Sequence, residues 1–345
     1  MTNVTIGMDL SDKNSHVCVL DQKGLVIERF QVKNTPPELR KAFALYPGAL
    51  VAMETGTQSP WISRELESVG CQVLVGNARK LRAIWDRSQK SDDKDAEMLA
   101  RIARMDTNLL YPVRHRSERA QLDLEQIKSR DALVEARTAL INYVRSIVKA
   151  HGERLPSGGA DCFHKRAETH LSDKLRPALM GVVEEIASLT QRIRVYDKTI
   201  EKLADEHYPE TTCLRQIHGV GLLTSLAFVL TLESPDRFKQ SRAVGPYLGL
   251  TPRKDQSGQC DKQLRISKEG DVYLRRMLVS CAQYILGRYG QDCDLRRYGE
   301  RLMLRGGKIA KRKAVVAVAR KLGILLHHLW ATGEVYQPLH NHRAA

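Results

Sequence analysis

Apolar residues fall into short runs over the first hundred positions and into long helical seams after them, and that change of period divides the chain. VTIGMDL, HVCVLD and LVIERFQV read as three strands joined by short polar turns containing Asp12 and Gly24. Strands joined this tightly pair antiparallel, as a meander. The pattern then predicts a helix from about Pro37 to Leu45, the strand ALVAMET, a helix from about Pro60 to Val69, the strand CQVLVG, and helical segments from Ala78. Strand–helix–strand order predicts parallel pairing.

A meander followed by parallel strands with crossover helices is the strand order of the ribonuclease H-like fold, so the N-terminal part is expected to be an α/β domain of that kind. This places Asp9 in the first, central strand and Glu54 at the end of the fourth strand beside it. The helix carrying Asp92 and Asp95 can then lay its i, i+3 face across both.

From Ser117 to Lys149 the period becomes helical, with Ile127, Val134, Ile141 and Val148 seven apart. Leu175, Leu179, Val182, Ile186, Leu189, Ile193, Tyr196, Ile200 and Leu203 alternate spacings of four and three, the seam of a coiled coil. Pro177 is tolerated in the first turn. HGERLPSGGADCFH, between the two, reads as a loop, so an antiparallel hairpin is expected, with a seam that can also pair with a second subunit. Beyond Tyr208 the chain is punctuated by Gly: IHGVG, an apolar helix from about Leu222 to Leu232, RFKQSRAVGPYLGLTPRKDQSGQ, ISKEGDVYLRR, and a basic helix beginning KIAKRK. The expected organisation is 1–116 (α/β), 117–207 (coiled-coil hairpin, dimerising), 208–333 (mainly α-helical) and a tail, 334–345.

Charge sharpens this division. Residues 237–321 hold 21 Lys or Arg against 7 Asp or Glu, nearly the whole surplus of a chain with net charge +15, which points to a polyanionic partner. Without an apolar run of about 18 residues or a signal peptide, the expectation is a cytoplasmic protein with no membrane association. Seven cysteines, odd in number and without a C-x-x-C pair, read as reduced thiols, and His327 and His328 as surface residues.

Four carboxylates carry the candidate chemistry. Asp9 and Glu54 each follow an apolar run, where a charge needs a partner, and Asp92 and Asp95 lie three apart on a helix; together they suit hard cations such as Mg²⁺. Asp93 points about 100° away and is read as a non-ligand. Two such ions about 3.5 to 4 Å apart stabilise both oxygens of a phosphoryl transfer. Gly219 and Gly221 in IHGVG could offer backbone N–H groups to a phosphate. Arg253, Lys254, Lys268, Arg275, Arg276 and the cluster Lys311, Arg312 and Lys313 are the candidate phosphate contacts. Ser257, in TPRKDQSGQC, reads on composition alone as a turn residue in an exposed basic loop.

The ordered set G-M-D, M-E-T-G-T, S-D-D-K-D-A, I-H-G-V-G, L-G-L-T-P-R with S-G after it, and S-K-E-G-D-V-Y-L-R-R resembles the insertion-sequence one-ten family of DEDD transposases, relatives of the Piv-type DNA invertases. The resemblance covers most of the chain. It implies a RuvC-like N-terminal domain, a coiled-coil hairpin and a C-terminal transposase domain with a serine nucleophile. The family's acidic positions fall on Asp9, Glu54, Asp92 and Asp95, and its serine on Ser257. It further implies two Mg²⁺ per site, donor and target DNA as substrates, a structured guide RNA, and a homo-oligomer, dimer or tetramer, in which a partner subunit can supply the serine. The acidic residue at 93 departs from the usual pattern. On this reading the chain is an RNA-guided serine recombinase that cuts and exchanges DNA strands through a phosphoseryl intermediate. The rivals are a RuvC-like junction nuclease that uses metal-activated water and a non-catalytic nucleic-acid-binding scaffold.

Overall fold

In the computed structural model, which describes residues 4–81, 91–258 and 260–340, the N-terminal apolar runs become β1 (Thr5–Asp9), β2 (Asn14–Leu20), β3 (Val26–Lys33), β4 (Leu50–Glu54) and β5 (Gln72–Gly76). β1 pairs antiparallel with β2, and β2 with β3; β4 lies parallel to β1, and β5 parallel to β4. The resulting order is β3-β2-β1-β4-β5, a mixed sheet with β1 at its centre. The chain separates into two compact units at Glu118, and this sheet belongs to the first.

Alternation assigns the two faces of the sheet. Ile6, Met8, Val17, Val19, Val51 and Met53 point to one side, where α1 (Pro36–Phe43) and α2 (Ser59–Ser68) cover them with Leu39, Phe43, Ile62 and Leu66. Cys18, Leu20 and Ala52 point to the other, where α3 (Asp92–Met105) lays down Ala96, Leu99, Ala100 and Ala103. Most of the helical segment expected from Ala78 falls on residues 82–90, outside the described residues. The segment after a short 3₁₀ turn at Thr107–Leu110 runs beside β5, with the Val113 amide donating to the Val75 carbonyl.

The second unit begins with α4 (Glu118–Ala150) and α6 (Arg176–His207), two long antiparallel helices joined by Arg130 to Asp197 at 2.6 Å and by Arg137 to the Thr190 hydroxyl at 3.3 Å. Their connection is irregular over residues 151–159, as expected, and is followed by a helix that the sequence did not announce. This is α5 (Phe163–His170), whose Phe163 and Ala167 close the hairpin tip with Val144, Val148, Leu171, Leu179 and Val183. Eight residues rich in His, Lys and Arg carry too little apolar periodicity to announce a helix, and tertiary burial of two side chains decides it.

The hairpin base is continuous with the C-terminal core. Leu124, Ile127, Ile200 and Ala204 share one cluster with α8 (Leu222–Leu232), α10 (Val272–Leu286) and α12 (Gly307–Thr332); the short helices α7 (Glu210–Leu214) and α9 (Val244–Tyr247) and the amphipathic α11 (Asp294–Met303) complete the unit. α12 is long and apolar enough to cross a membrane, contrary to the reading of the sequence, yet Val318, Ala319, Leu322 and Leu326 lie in this core. His327 also corrects its expectation. It is buried, with Nδ1 2.9 Å from the Ser241 hydroxyl and Nε2 2.9 Å from the Pro235 carbonyl oxygen, whereas His328 is exposed.

Candidate active site

Asp9 closes β1 and Glu54 closes β4, and because these strands are parallel neighbours in the register Met8 to Met53, both carboxylates leave the same end of the sheet. Alternation puts them on the face covered by α3, since Asp9 follows Gly7 by two and Glu54 follows Ala52 by two. α3 starts at this end. Its first turn carries Asp92, Asp93 and Asp95, which its positive N-terminal dipole favours. A carbon added to Gly7 would lie 1.9 Å from the Ala96 carbonyl oxygen, so helix and strand touch backbone to backbone, and only glycine allows it.

Asp95 is buried, Asp9 and Glu54 are half-buried with one Glu54 oxygen shielded from solvent, and Asp92 is exposed. Among the described residues no three His, Cys, Asp or Glu side chains converge, as they stand, on one ion position. The fold brings together the two strand ends and the helix start that carry the four carboxylates. An all-oxygen donor set of this kind suits a hard divalent cation.

One neighbour escaped the reading of the sequence. His16, the cross-strand partner of Asp9 on β2, turns to the same face and meets the α3 N-terminus, with Nδ1 2.6 Å from Asp93 Oδ1 and Nε2 3.6 Å from Asp92 Oδ2. The alternation of HVCVLD, which sets His16 opposite Asp9, was its only signal.

Ser257 lies in the second unit, on a hairpin and not in the irregular loop expected. β6 (Pro252–Ser257) pairs antiparallel with β7 (Cys260–Ile266), and Ser257, exposed, ends β6 opposite Cys260. The root of this hairpin is tied down by the two motifs that flank it. The Ser267 amide donates to Thr251 and the Lys268 amide to Gly249, while Arg275, buried on α10, donates to the carbonyls of Leu248 at 3.1 Å and Glu269 at 2.8 Å.

The basic candidates therefore divide. Arg253 and Lys254 on β6, Lys268, and the Lys311, Arg312 and Lys313 cluster near the start of α12 are exposed as expected. Arg275 is turned inward as the clamp just described. Arg276 binds Asp131 and Glu135 on α4, with Tyr273 stacked against its guanidinium, which joins α10 to the long hairpin. Both are occupied structurally, which the reading from charge alone missed. Gly219 and Gly221 form the turn into α8, beside a pocket of about 380 Å³ lined by Thr224, Met277, Cys281 and Tyr284 among others. None of its lining residues is charged, so an anion there would meet backbone N–H groups and the hydroxyls of Thr224, Ser280 and Tyr284 but no cationic side chain.

Residues 6–152 match the family model of IS110-type DEDD transposases, described as a transposase, and residues 211–298 match that of the IS116/IS110/IS902 transposase family. The first span contains all four carboxylates and the second contains Ser257. The chain is 26% identical to a probable family 20 transposase of Pseudomonas aeruginosa, over 96% of its own length and 98% of that protein. It is 24% identical to the transposase for insertion sequence element IS1111A of Coxiella burnetii, covering 96% and 91% respectively. To the transposase for insertion sequence element IS1328 of Yersinia enterocolitica it is 27% identical, over 84% of this chain and 86% of the other.

Proposed function

This chain belongs to the IS110 family of DEDD transposases and is an enzyme that acts on DNA, and on that footing we propose that it moves an insertion sequence by a serine-dependent exchange of DNA strands. Asp9, Glu54, Asp92 and Asp95 hold divalent cations, two Mg²⁺ in the proposed site, which when bound supply Lewis acidity at the scissile phosphate. Ser257 supplies the nucleophile. Its Oγ loses a proton and bonds to phosphorus, a phosphate ester bond of the strand breaks, and the departing oxygen takes up a proton, leaving a phosphoseryl link that conserves the energy needed for rejoining. An ordinary alcohol is a weak nucleophile at neutral pH, so the hydroxyl must be activated where it meets the phosphate.

The observation that carries this reading is the shared end of the sheet, where the ends of β1 and β4 and the first turn of α3 bring their carboxylates to one face. The sheet order supports a ribonuclease H-like, RuvC-type unit. Exposed Arg253, Lys254, Lys268 and Lys311 to Lys313 fit contacts to nucleic-acid backbone, in donor and target DNA and in a structured guide RNA whose pairing would choose the sequence. The long antiparallel hairpin is the element proposed to join subunits. Exposed Leu122, Tyr143 and Val195 offer it apolar contact.

The test is Ser257→Ala in a strand-cleavage assay with end-labelled DNA and Mg²⁺. Loss of cleavage and of the covalent protein–DNA adduct, with DNA binding retained, is expected; cleavage that persists without an adduct would make the enzyme a hydrolytic nuclease. Asp9→Asn should abolish both products and leave binding within about twofold. Rearrangement that continues in that variant would remove the carboxylates from the chemistry.

A further inference from the structure

His16 stands in the acidic site and has no role in the scheme above. It is the direct cross-strand partner of Asp9, so their Cα atoms lie roughly 4.5 to 5.5 Å apart and their side chains rise from the same face of the sheet. The imidazole is mostly covered, at 17% exposure, and it is held from one side: Asp93 Oδ1 lies 2.6 Å from Nδ1. An ionised carboxylate can only accept a hydrogen bond, so Nδ1 carries the proton and donates it. The other nitrogen, Nε2, is thereby directed toward Asp92, whose Oδ2 is 3.6 Å away. That distance is too long for a direct hydrogen bond. It does suit two donors on a common ion, since metal–ligand bonds of about 2.0 to 2.2 Å put neighbouring donors roughly 3 to 3.6 Å apart.

We propose that His16 is a nitrogen ligand of the metal site, bound through Nε2 beside Asp92, and that Asp93 is the carboxylate that orients it. A metal-bound histidine commonly gives its second N–H to a carboxylate, which fixes the ring and raises its basicity, and the Asp93–His16–Asp92 arrangement has that form. The adjacent acids of S-D-D-K-D-A thus divide their work: Asp92 faces the ion, and Asp93, pointing away around the helix, reaches the ring on β2. One nitrogen among oxygen donors favours Mn²⁺ over Mg²⁺ more than four carboxylates alone would.

The inference rests on the metal reading of the four carboxylates, and the experiment separates the two. Mn²⁺ is titrated into the full-length protein and examined by pulsed electron paramagnetic resonance for coupling to nitrogen. The expected result is a ¹⁴N coupling in the wild-type protein that vanishes in His16→Gln, with Mn²⁺ still bound at lower affinity. Asp93→Ala, which keeps the ring and removes its support, should weaken Mn²⁺ binding by about tenfold to a hundredfold. Mn²⁺ bound with no nitrogen coupling, or a coupling that survives His16→Gln, overturns the proposal and leaves the carboxylates in place. Mn²⁺ binding that is absent, or unchanged by Asp9→Asn, overturns both. His16→Gln is nearly isosteric, and an unchanged urea midpoint certifies that its sheet is intact.

Discussion

Adding one carbon to Gly7 would place it 1.9 Å from the Ala96 carbonyl oxygen and 2.5 Å from the Ala100 amide nitrogen, both backbone atoms of α3 that no side-chain rotation can move. Relief requires shifting the helix that carries Asp92 and Asp95. Gly7→Ala should therefore cost more than about 3 kcal/mol in urea unfolding and abolish divalent-ion binding, while Met8 and its face of the sheet are untouched. Arg275 makes a similar point in the second unit. Its guanidinium is buried against two carbonyls at the hairpin root, so Arg275→Met should destabilise the protein by about 2 kcal/mol, with a larger effect on strand cleavage than on DNA affinity. An unchanged cleavage rate would mean that Ser257 needs no fixed root.

Among the elements, α3 is fastened to the sheet edge by Glu97, which binds Arg29 on β3 and Arg101 one turn along its own helix, both at 2.6 Å. Partial burial pushes the Glu97 carboxyl up, but the two arginines outweigh it and hold its pKa below the usual carboxylate range. A depressed folded pKa contributes stability that is complete above the unfolded value of about 4.3 and is lost as pH falls through the folded one. Glu97→Gln should consequently lose less than about 1 kcal/mol at neutral pH, and the difference from wild type should disappear under acid, as read from urea midpoints across pH.

Elements of this kind also mark what a sequence can disclose. The strands β1, β2 and β4 were legible because burial on both faces demands continuous apolar runs, and Asp9 and Glu54 stood out because they end two of those runs. β6 and β7 were not, since PRKDQS is polar throughout and is held by backbone pairing that leaves no periodic trace. α5 was lost because only Phe163 and Ala167 of its eight residues are buried, too few to set a period. His16 and Asp93 are 77 residues apart, and only the fold makes them neighbours. Arg275 and Arg276 look alike as charges, and only burial and partners separate a clamp from a contact.

Over the whole molecule, charge is divided unequally: the unit ending at Glu118 has 17 Lys or Arg against 15 Asp or Glu, and the second unit has 38 against 25. Nucleic-acid affinity should thus follow the second unit and fall steeply with salt. Neutralising Lys311, Arg312 and Lys313 together should lower the slope of log affinity against log salt by about three, measured by fluorescence anisotropy. A slope that does not change would assign the backbone contacts elsewhere. The β6–β7 ribbon belongs to this same basic unit but shares little with its core: every residue of β6 after Pro252 is exposed. Two strands without an apolar face are marginal by themselves in water. A protease offered the native enzyme should cut there before it cuts any helix, and each nucleic acid that settles over the ribbon should slow that cut, so the lifetime of one peptide bond near Ser257 becomes a gauge of occupancy that requires no turnover.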